Sequence, residues 1–268
     1  MYLAAAVQLN CTSNVANNLA AADALIARAA SYGAKLVATP ENTNFLGPHP
    51  DKVRLAEPLD GPTVAHFAAL ARKHAITLLL GSFNERSDDP KRCYNTSVLF
   101  GPDGAVLGAY RKMHLFDVNV SPDVCFMESD TVIAGDQPLV VDSPVGRLGL
   151  SICYDLRFGE YYRALVDAGA QVILVPAAFT LMTGKDHWHP LMRARAIETQ
   201  CYVLSPGQVG HHDDAGLRQS YGHSMVVDPW GHIVGMSSDG PGLALAEIDL
   251  ERVDAVRRGI PLAAHRRL

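Results

Sequence analysis

The sequence carries little charge, and none of it is gathered into a block. Lys and Arg number 23 against 28 Asp and Glu in 268 residues, a net charge of −5 with no long basic or acidic run. That balance argues against nucleic acid or a membrane surface as a partner. Cysteine is equally sparse. Cys11, Cys93, Cys125, Cys153 and Cys201 are scattered, odd in number and free of any CxxC pair. Such spacing speaks against structural zinc and fits a reducing, cytoplasmic setting. Long apolar runs are missing too. Met1 to Leu9 is apolar but has no basic leader and soon meets Asn10, Thr12, Ser13 and Asn14. It reads as a first strand, not as a signal peptide or a membrane span. There is no HxxxH or HExxH pattern. His187 and His189 stand two apart and would point different ways on a helix, while His211 and His212 lie in a polar stretch, so neither a metal nor another cofactor is expected.

What is present is ample apolar material: 48% of the residues are hydrophobic, enough for a sizeable core. No linker interrupts it, which predicts one domain over residues 1–268. Ser13 or Asn14 can cap a helix running to about Tyr32 with Gly33 as its stop. Leu36 to Thr39 is a buried strand broken by Pro40, and Gly61-Pro62-Thr63 opens a helix ending near His74. Ile76 to Ser82 is a strand. Tyr94 to Phe100 and Ala105 to Tyr110 flank the turn Gly101-Pro102-Asp103-Gly104 as a hairpin. Residues 113–137 read as a long irregular loop, too apolar at Phe116, Val118, Cys125, Phe126 and Met127 to be a free linker, and therefore packed over a site. Leu139 to Asp142 and Arg147 to Cys153 form a second hairpin, followed by a helix to about Ala168. Val172 to Val175 is a strand stopped by Pro176. His187 to Thr199 reads as a helix burying Leu191, Ala194 and Ile197. Tyr202 to Leu204, Gly222 to Val227, His232 to Met236 and Leu243 to Ile248 are strands, with Gly207 to Ser220 a polar loop and a short helix near the end. Strand–helix–strand units alternating with hairpins predict an α/β sandwich. The stretch from Leu99 to Gly108 also echoes Val226 to Gly235, a hint of two halves built alike.

The chain is organised around Gly149-Leu-Ser-Ile-Cys-Tyr-Asp-Leu-Arg-Phe158. Leu148, Leu150 and Ile152 read as a strand, Tyr161, Leu165 and Val166 as a helix face, and Cys153 stands between the two patterns. Amide groups at a helix start favour a thiolate and could hold an oxyanion, although a lone cysteine is more often a small buried hydrophobe. Glu41 and Lys112 also lie just past strand ends, where α/β folds usually bind ligands. Together the three suffice to hydrolyse a carbon–nitrogen bond through a thioester: the carboxylate takes the thiol proton, the ammonium lowers the thiol pKa and steadies an oxyanion, and the carboxyl group then protonates the leaving amine and activates water.

These residues, in Pro40-Glu41-Asn42, Tyr110-Arg111-Lys112-Met113-His114 and Cys153-Tyr154-Asp155-Leu156-Arg157-Phe158, resemble the nitrilase (carbon–nitrogen hydrolase) superfamily. With His187-Trp188, Arg193-Ala-Arg-Ala-Ile-Glu-Thr-Gln-Cys-Tyr-Val203 and Ser220-Tyr-Gly-His-Ser-Met-Val-Val-Asp-Pro-Trp-Gly231 the resemblance spans nearly the whole chain. It points to the Nit branch, and to deaminated glutathione amidases more than to ω-amidases. The resemblance implies a four-layer α-β-β-α sandwich, with Cys153 as nucleophile, Glu41 as general base and acid and Lys112 as oxyanion stabiliser. Tyr154 would supply the second oxyanion N–H, and Glu128 would position Lys112 or the substrate. It also implies a homodimer or larger assembly acting on a small-molecule amide. Where the Nit pattern has proline after Phe158 this chain has Gly159, which should loosen the helix start. For a substrate carboxylate Arg157 is the candidate cation, the competing reading being an ion pair with Asp155 or Glu160. Phe179, Thr180 and Met182 would line the pocket, with core packing the competing role for Phe179. An amidase is thus expected; ω-amidase, aliphatic nitrilase and a catalytically silent scaffold are the other readings.

Overall fold

The computed structural model describes residues 1–121, 124–212 and 219–267. Its first half runs β1 (Tyr2–Gln8), α1 (Val15–Ser31), β2 (Leu36–Ala38), α2 (His49–Arg54), α3 (Pro62–His74), β3 (Thr77–Arg86), β4 (Cys93–Phe100) and β5 (Val106–Arg111). A small hairpin, β6 (Asp117–Ser121) and β7 (Val124–Met127), leads into β8 (Leu139–Ser143), β9 (Gly146–Leu150), α4 (Gly159–Asp167), β10 (Val172–Leu174) and α5 (Leu181–Thr199). Then follow β11 (Tyr202–Ser205), β12 (Val209–His211), β13 (Gln219–Tyr221), β14 (Met225–Val227), β15 (Ile233–Met236), β16 (Gly242–Ile248), α6 (Leu250–Gly259) and α7 (Leu262–His265).

Two six-stranded sheets form, ordered β16-β1-β2-β3-β4-β5 and β15-β14-β11-β10-β9-β8. The strand period of two decides what each face buries. Ala4, Ala6, Leu36, Ala38, Leu79 and Leu99 turn toward the second sheet. Their neighbours Ala5, Val7, Val37, Leu78, Leu80, Val98 and Phe100 pack under α1 and α3. Helices α4 and α5 cover the outer side of the second sheet through Tyr161, Tyr162, Leu165, Trp188, Met192 and Ala196. The layers are therefore α-β-β-α. The sheets touch where β5 crosses β8, and glycine is needed there: a Cβ on Gly108 would stand 2.8 Å from Val141 Cγ2.

The echo between Leu99–Gly108 and Val226–Gly235 falls on equivalent elements. In each sheet three parallel strands (β1, β2, β3 and β9, β10, β11) are followed by an antiparallel hairpin, β4–β5 or β14–β15. The two echoing segments are those hairpins.

Four expectations are corrected. Residues 113–137 are not irregular throughout: among the described residues β6 pairs β7 with Val118 opposite Phe126, and Glu128–Asp130 form a 3₁₀ turn. Strands of five and four residues are too short for a period of two to stand out within so long a stretch. The side chain of Cys125 lies outside the described residues. The stretch from Asn42 to Gly61, which reads as a loop in the sequence, contains helix α2, six residues behind Pro48 and too short for a helical period to show. The polar loop after Gly207 contains β12 and β13, with residues 213–218 outside the described part. Helix α5 begins at Leu181, not His187, and buries Gly184, Trp188, Met192, Arg195, Ala196 and Thr199. Ile197, expected inside, is 48% exposed. The folded helix carries Pro190 in its interior, a position where proline removes one helical hydrogen bond. The early start is possible because Gly184 lets α5 lie on Tyr221, into which a Cβ would collide.

Candidate active site

Glu41 sits in a loop whose residues 39–47 are all buried. A buried loop must satisfy its own polar groups. Thr43 Oγ1 donates to Pro40 O at 2.6 Å, and the N–H of Asn42 to Ser82 Oγ at 2.8 Å. The Thr43 N–H donates to Ser82 O at 3.0 Å, and Gln208 Nε2 to Glu41 O at 2.9 Å. The loop lies so close over β3 that Gly81 has to be glycine, because a Cβ there would drive into the carbonyl oxygens of Thr39 and Pro40. Lys112 follows β5 and is pinned by its N–H to Asn95 O at 2.9 Å and by Gly135 N–H to its own carbonyl at 2.8 Å. Cys153 follows β9. Its N–H donates to Pro176 O at 2.9 Å, and its φ of +46° is left-handed, a conformation a non-glycine residue keeps only when its surroundings impose it.

These three chain segments converge on one pocket, whose walls include Glu41, Lys112, Glu128, Cys153, Tyr154 and Arg157. Lys112 Nζ donates to Glu41 Oε1 at 3.0 Å and to Glu128 Oε2 at 2.8 Å. Asn95 Nδ2 bridges the same two carboxylates, at 2.9 Å from Glu41 Oε1 and 3.3 Å from Glu128 Oε1. Ala178 N–H holds Glu41 Oε2 at 2.8 Å, and Phe116 N–H holds Glu128 Oε2 at 2.7 Å. Glu41 and Lys112 are only 3% and 2% exposed, so their pairing is not screened by solvent.

Burial works against the Lys112 ammonium, but Glu128 and Glu41 beside it hold its pKa well above the usual lysine value. Burial likewise opposes the Glu128 carboxylate, and Lys112 with Lys52 nevertheless brings its pKa down to about 2. The thiol differs from expectation. Burial and the neighbouring Glu41 carboxylate push the Cys153 pKa well above its ordinary value, and the opposing pull of Lys112 does not reverse this. The turn that starts at Cys153 is a five-residue 3₁₀ segment, not the first turn of a long helix. Cys153 therefore rests as a thiol beside a carboxylate able to accept its proton.

Arg157 lies over the rings of Phe179 and Tyr154, with centroids 5.3 and 5.7 Å away, and its Nη1 approaches His187 Nδ1 at 3.3 Å. Neither Asp155 nor Glu160 forms a salt bridge with it among the described residues. Phe179 does both things considered for it: it lines the pocket and packs on Trp188 with centroids 5.2 Å apart. Thr180 lines the pocket as the N-cap residue of α5, and Met182 is half exposed and not part of the wall. Gly159, standing where proline was expected, still opens α4. A Cβ there would meet Arg195 Nη1 at 3.4 Å, an ordinary contact. The sequence does not single out Asn95, Gln208, Lys52 or His49, and offers Asp155 only as an ion-pair partner for Arg157. Only Asp155 left a signal, as an acidic residue three positions after Ile152, whose N–H it accepts at 2.8 Å. Among the described residues no group of three or more His, Cys, Asp or Glu side chains could hold a metal ion.

A buried carboxylate–ammonium–carboxylate cluster beside a cysteine at a strained turn, between two α-covered sheets, is an arrangement suited to acyl transfer from an amide. Residues 3–258 match the carbon–nitrogen hydrolase family model. The chain is 44% identical to a deaminated glutathione amidase of Synechocystis sp., over 99% of this chain and 98% of the relative. It is 43% identical to the human deaminated glutathione amidase, over 99% of this chain and 82% of the relative. Among solved structures, C. elegans NitFhit superposes with a TM-score of 0.93 at 42% identity, covering 99% of this chain, which spans only 65% of that longer one. Yeast Nit3, of the nitrilase superfamily, superposes at 0.88 with 33% identity, covering 100% and 97%. A glutamate-to-glutamine mutant of an amidase from Nesterenkonia sp., carrying acrylamide on its active-site cysteine by Michael addition, superposes at 0.80 with 26% identity, covering 98% and 100%. The chain belongs to the carbon–nitrogen hydrolase family. Its activity class is hydrolysis of carbon–nitrogen bonds other than peptide bonds.

Proposed function

We propose that the protein is an amidase that cleaves deaminated glutathione through a thioester on Cys153. The observation that carries this reading is Lys112 Nζ held between Glu41 and Glu128 in the pocket that Cys153 lines. Glu41 takes the thiol proton as sulfur attacks the amide carbonyl. The Lys112 ammonium and the Tyr154 N–H receive the oxyanion. The carboxyl proton then passes to the leaving amine, and the regenerated Glu41 carboxylate activates the water that releases the acid and restores the thiol. Glu128 fixes Lys112 and keeps it charged. Burial and Glu41 favour the protonated thiol, so removal of its proton by Glu41 is part of the path to the thioester.

The substrate assignment is supported by the names of relatives at 43–44% identity and by the cations in the pocket wall. Deaminated glutathione has a carboxylate at each end of the scissile amide, and Arg157 and Lys52 both line the pocket. Wild-type protein and Cys153→Ala should be incubated with deaminated glutathione and with a simple ω-amide, following cysteinylglycine or ammonia released. Wild type is expected to release cysteinylglycine faster than ammonia and Cys153→Ala to release neither; equal traces from both proteins would reject the amidase reading.

A homodimer is part of the same proposal. Ile197 on the outer face of α5, Trp230 and Ile260 are 48%, 50% and 42% exposed. They form one patch, since Ile197 lies against Gly231 and Trp230 shares a shallow depression with Ile260. Apolar surface of this kind marks a partner site. Light scattering should give twice the chain mass, and Ile197→Glu should halve it. A cytoplasmic location is supported by four buried free thiols, Cys11, Cys93, Cys153 and Cys201; no helix among the described residues is long and apolar enough to cross a membrane.

A further inference from the structure

Lys112 and Cys153 follow strands of different sheets, β5 and β9, yet their chain neighbours are fastened to a single carboxylate. Asp155, two residues past Cys153, is fully buried. It accepts from Tyr110 Oη at 2.7 Å, from the His114 N–H at 3.0 Å, from His114 Nδ1 at 2.7 Å and from the Ile152 N–H at 2.8 Å. A carboxylate can only accept here, so Nδ1 carries the proton of that bond. Tyr110 and His114 stand two residues on either side of Lys112, and Ile152 directly precedes Cys153. The link is doubled by rings. His114 stacks on Phe158 with centroids 3.8 Å apart and planes at 12°, and meets Tyr161 edge-on.

Had Asp155 served only to close the Cys153 turn, the Ile152 N–H would have been sufficient. Three of its four donors come instead from the Lys112 segment. A buried carboxylate is tolerated only with such partners, so neither segment can shift without leaving it short of donors. We infer that the Asp155–His114 pair is a positioning device that sets the separation of the Lys112 ammonium from the Cys153 sulfur. Neither residue touches substrate or a reacting atom. The inference rests on the proposed roles of Cys153 and Lys112. It has a consequence that plain fold support lacks. Lys112 is the cation that draws the thiol pKa down against burial and Glu41, so releasing Lys112 raises that pKa further and weakens oxyanion stabilisation. The loss then appears in kcat.

Two substitutions separate the bond from the packing. His114→Phe keeps a ring for Phe158 and deletes the donor; His114→Asn keeps a donor near the Nδ1 position and deletes the ring. Each is assayed for kcat and KM on deaminated glutathione, per alkylatable Cys153, and for the pH dependence of Cys153 alkylation by iodoacetamide, followed by intact mass. His114→Phe should lower kcat roughly 10- to 100-fold, as expected for a sub-ångström to 1 Å misplacement, with KM little changed and the alkylation midpoint moved up. His114→Asn should recover most of both. Equal losses in the two variants, a loss carried by KM, or an unmoved midpoint would overturn the inference. Should His114→Phe not fold, Tyr110→Phe removes a different donor of the same segment and must give a smaller shift of the same sign, or the inference falls. If wild type hydrolyses neither this amide nor an ω-amide, the proposed function fails, and the alkylation midpoints still decide the positioning claim.

Discussion

Replacing Glu41 by glutamine should make Cys153 easier to alkylate while stopping turnover. The carboxylate is held by Lys112 Nζ at 3.0 Å, Asn95 Nδ2 at 2.9 Å and Ala178 N–H at 2.8 Å. Glutamine fills the same volume but has one acceptor oxygen. If that oxygen keeps Ala178, its NH₂ faces two donors; if it turns, Ala178 is left unbonded. Lys112 still has Glu128 at 2.8 Å and stays charged. The general base of both half-reactions is gone, and such a group is worth about 10² to 10⁴ in rate, about 3 to 5 kcal/mol of barrier. The sulfur responds in the opposite direction. Glu41 raises the thiol pKa and Lys112 lowers it, so removing Glu41 leaves the Lys112 pull unopposed except by burial, and the pKa falls. The assay pairs steady-state product release with iodoacetamide alkylation of Cys153 from pH 6 to 10, read by intact mass. Turnover within about tenfold of wild type would remove Glu41 from its role. An alkylation midpoint that stays put or rises would refute the electrostatic argument.

Other consequences can be measured in the same preparations. Lys112→Met strands two buried carboxylates without their shared cation and should cost about 3–5 kcal/mol in urea unfolding; a loss below about 1 kcal/mol would mean that the cluster is far better solvated than its burial implies. The Glu128 pKa, near 4.5 when unfolded and about 2 when folded, is depressed by folding. Its contribution, on the order of 3 kcal/mol, is therefore full above about pH 4.5 and is lost as the pH falls toward 2. Urea midpoints should decline through that window in wild type and decline less steeply in Glu128→Gln, and parallel declines would contradict the shift. Gly81→Ala forces the Glu41 loop off β3 and should cost about 1–3 kcal/mol from overpacking, with activity falling beyond what the unfolded fraction explains; a variant of wild-type stability and rate would show that the loop has room to move.

Much of the architecture could be read because local chemistry and tertiary structure agree. Apolar runs stop where prolines follow, at Pro40 and Pro176, and Asn14 caps α1 with its side chain accepting from Asn17 N–H. The strand-end position of Glu41 follows from Pro40, and that of Lys112 from the hairpin strand that ends just before it. The reading failed where a local rule had two solutions. On α5 the apolar residues Leu191, Ala194 and Ile197 and the set Trp188, Met192 and Ala196 both recur at helical spacing, and it is the second that the fold buries. Asn95 could not be found at all, since on β4 it is one of three consecutive polar residues, Asn95-Thr96-Ser97, and only a carboxylate 54 positions away makes it part of the site.

The sequence by itself determined the periods and breakers, hence the elements, the two similar halves and the residue types at the strand ends; these depend on neighbours within a few positions. Only the tertiary structure decided the charge states. Whether Cys153 rests as thiol or thiolate depends on the balance of burial, Glu41 and Lys112, and burial and charge proximity arise from segments that meet only after the two sheets have packed. That is why the thiol's ionisation, expected from the turn alone, came out the other way.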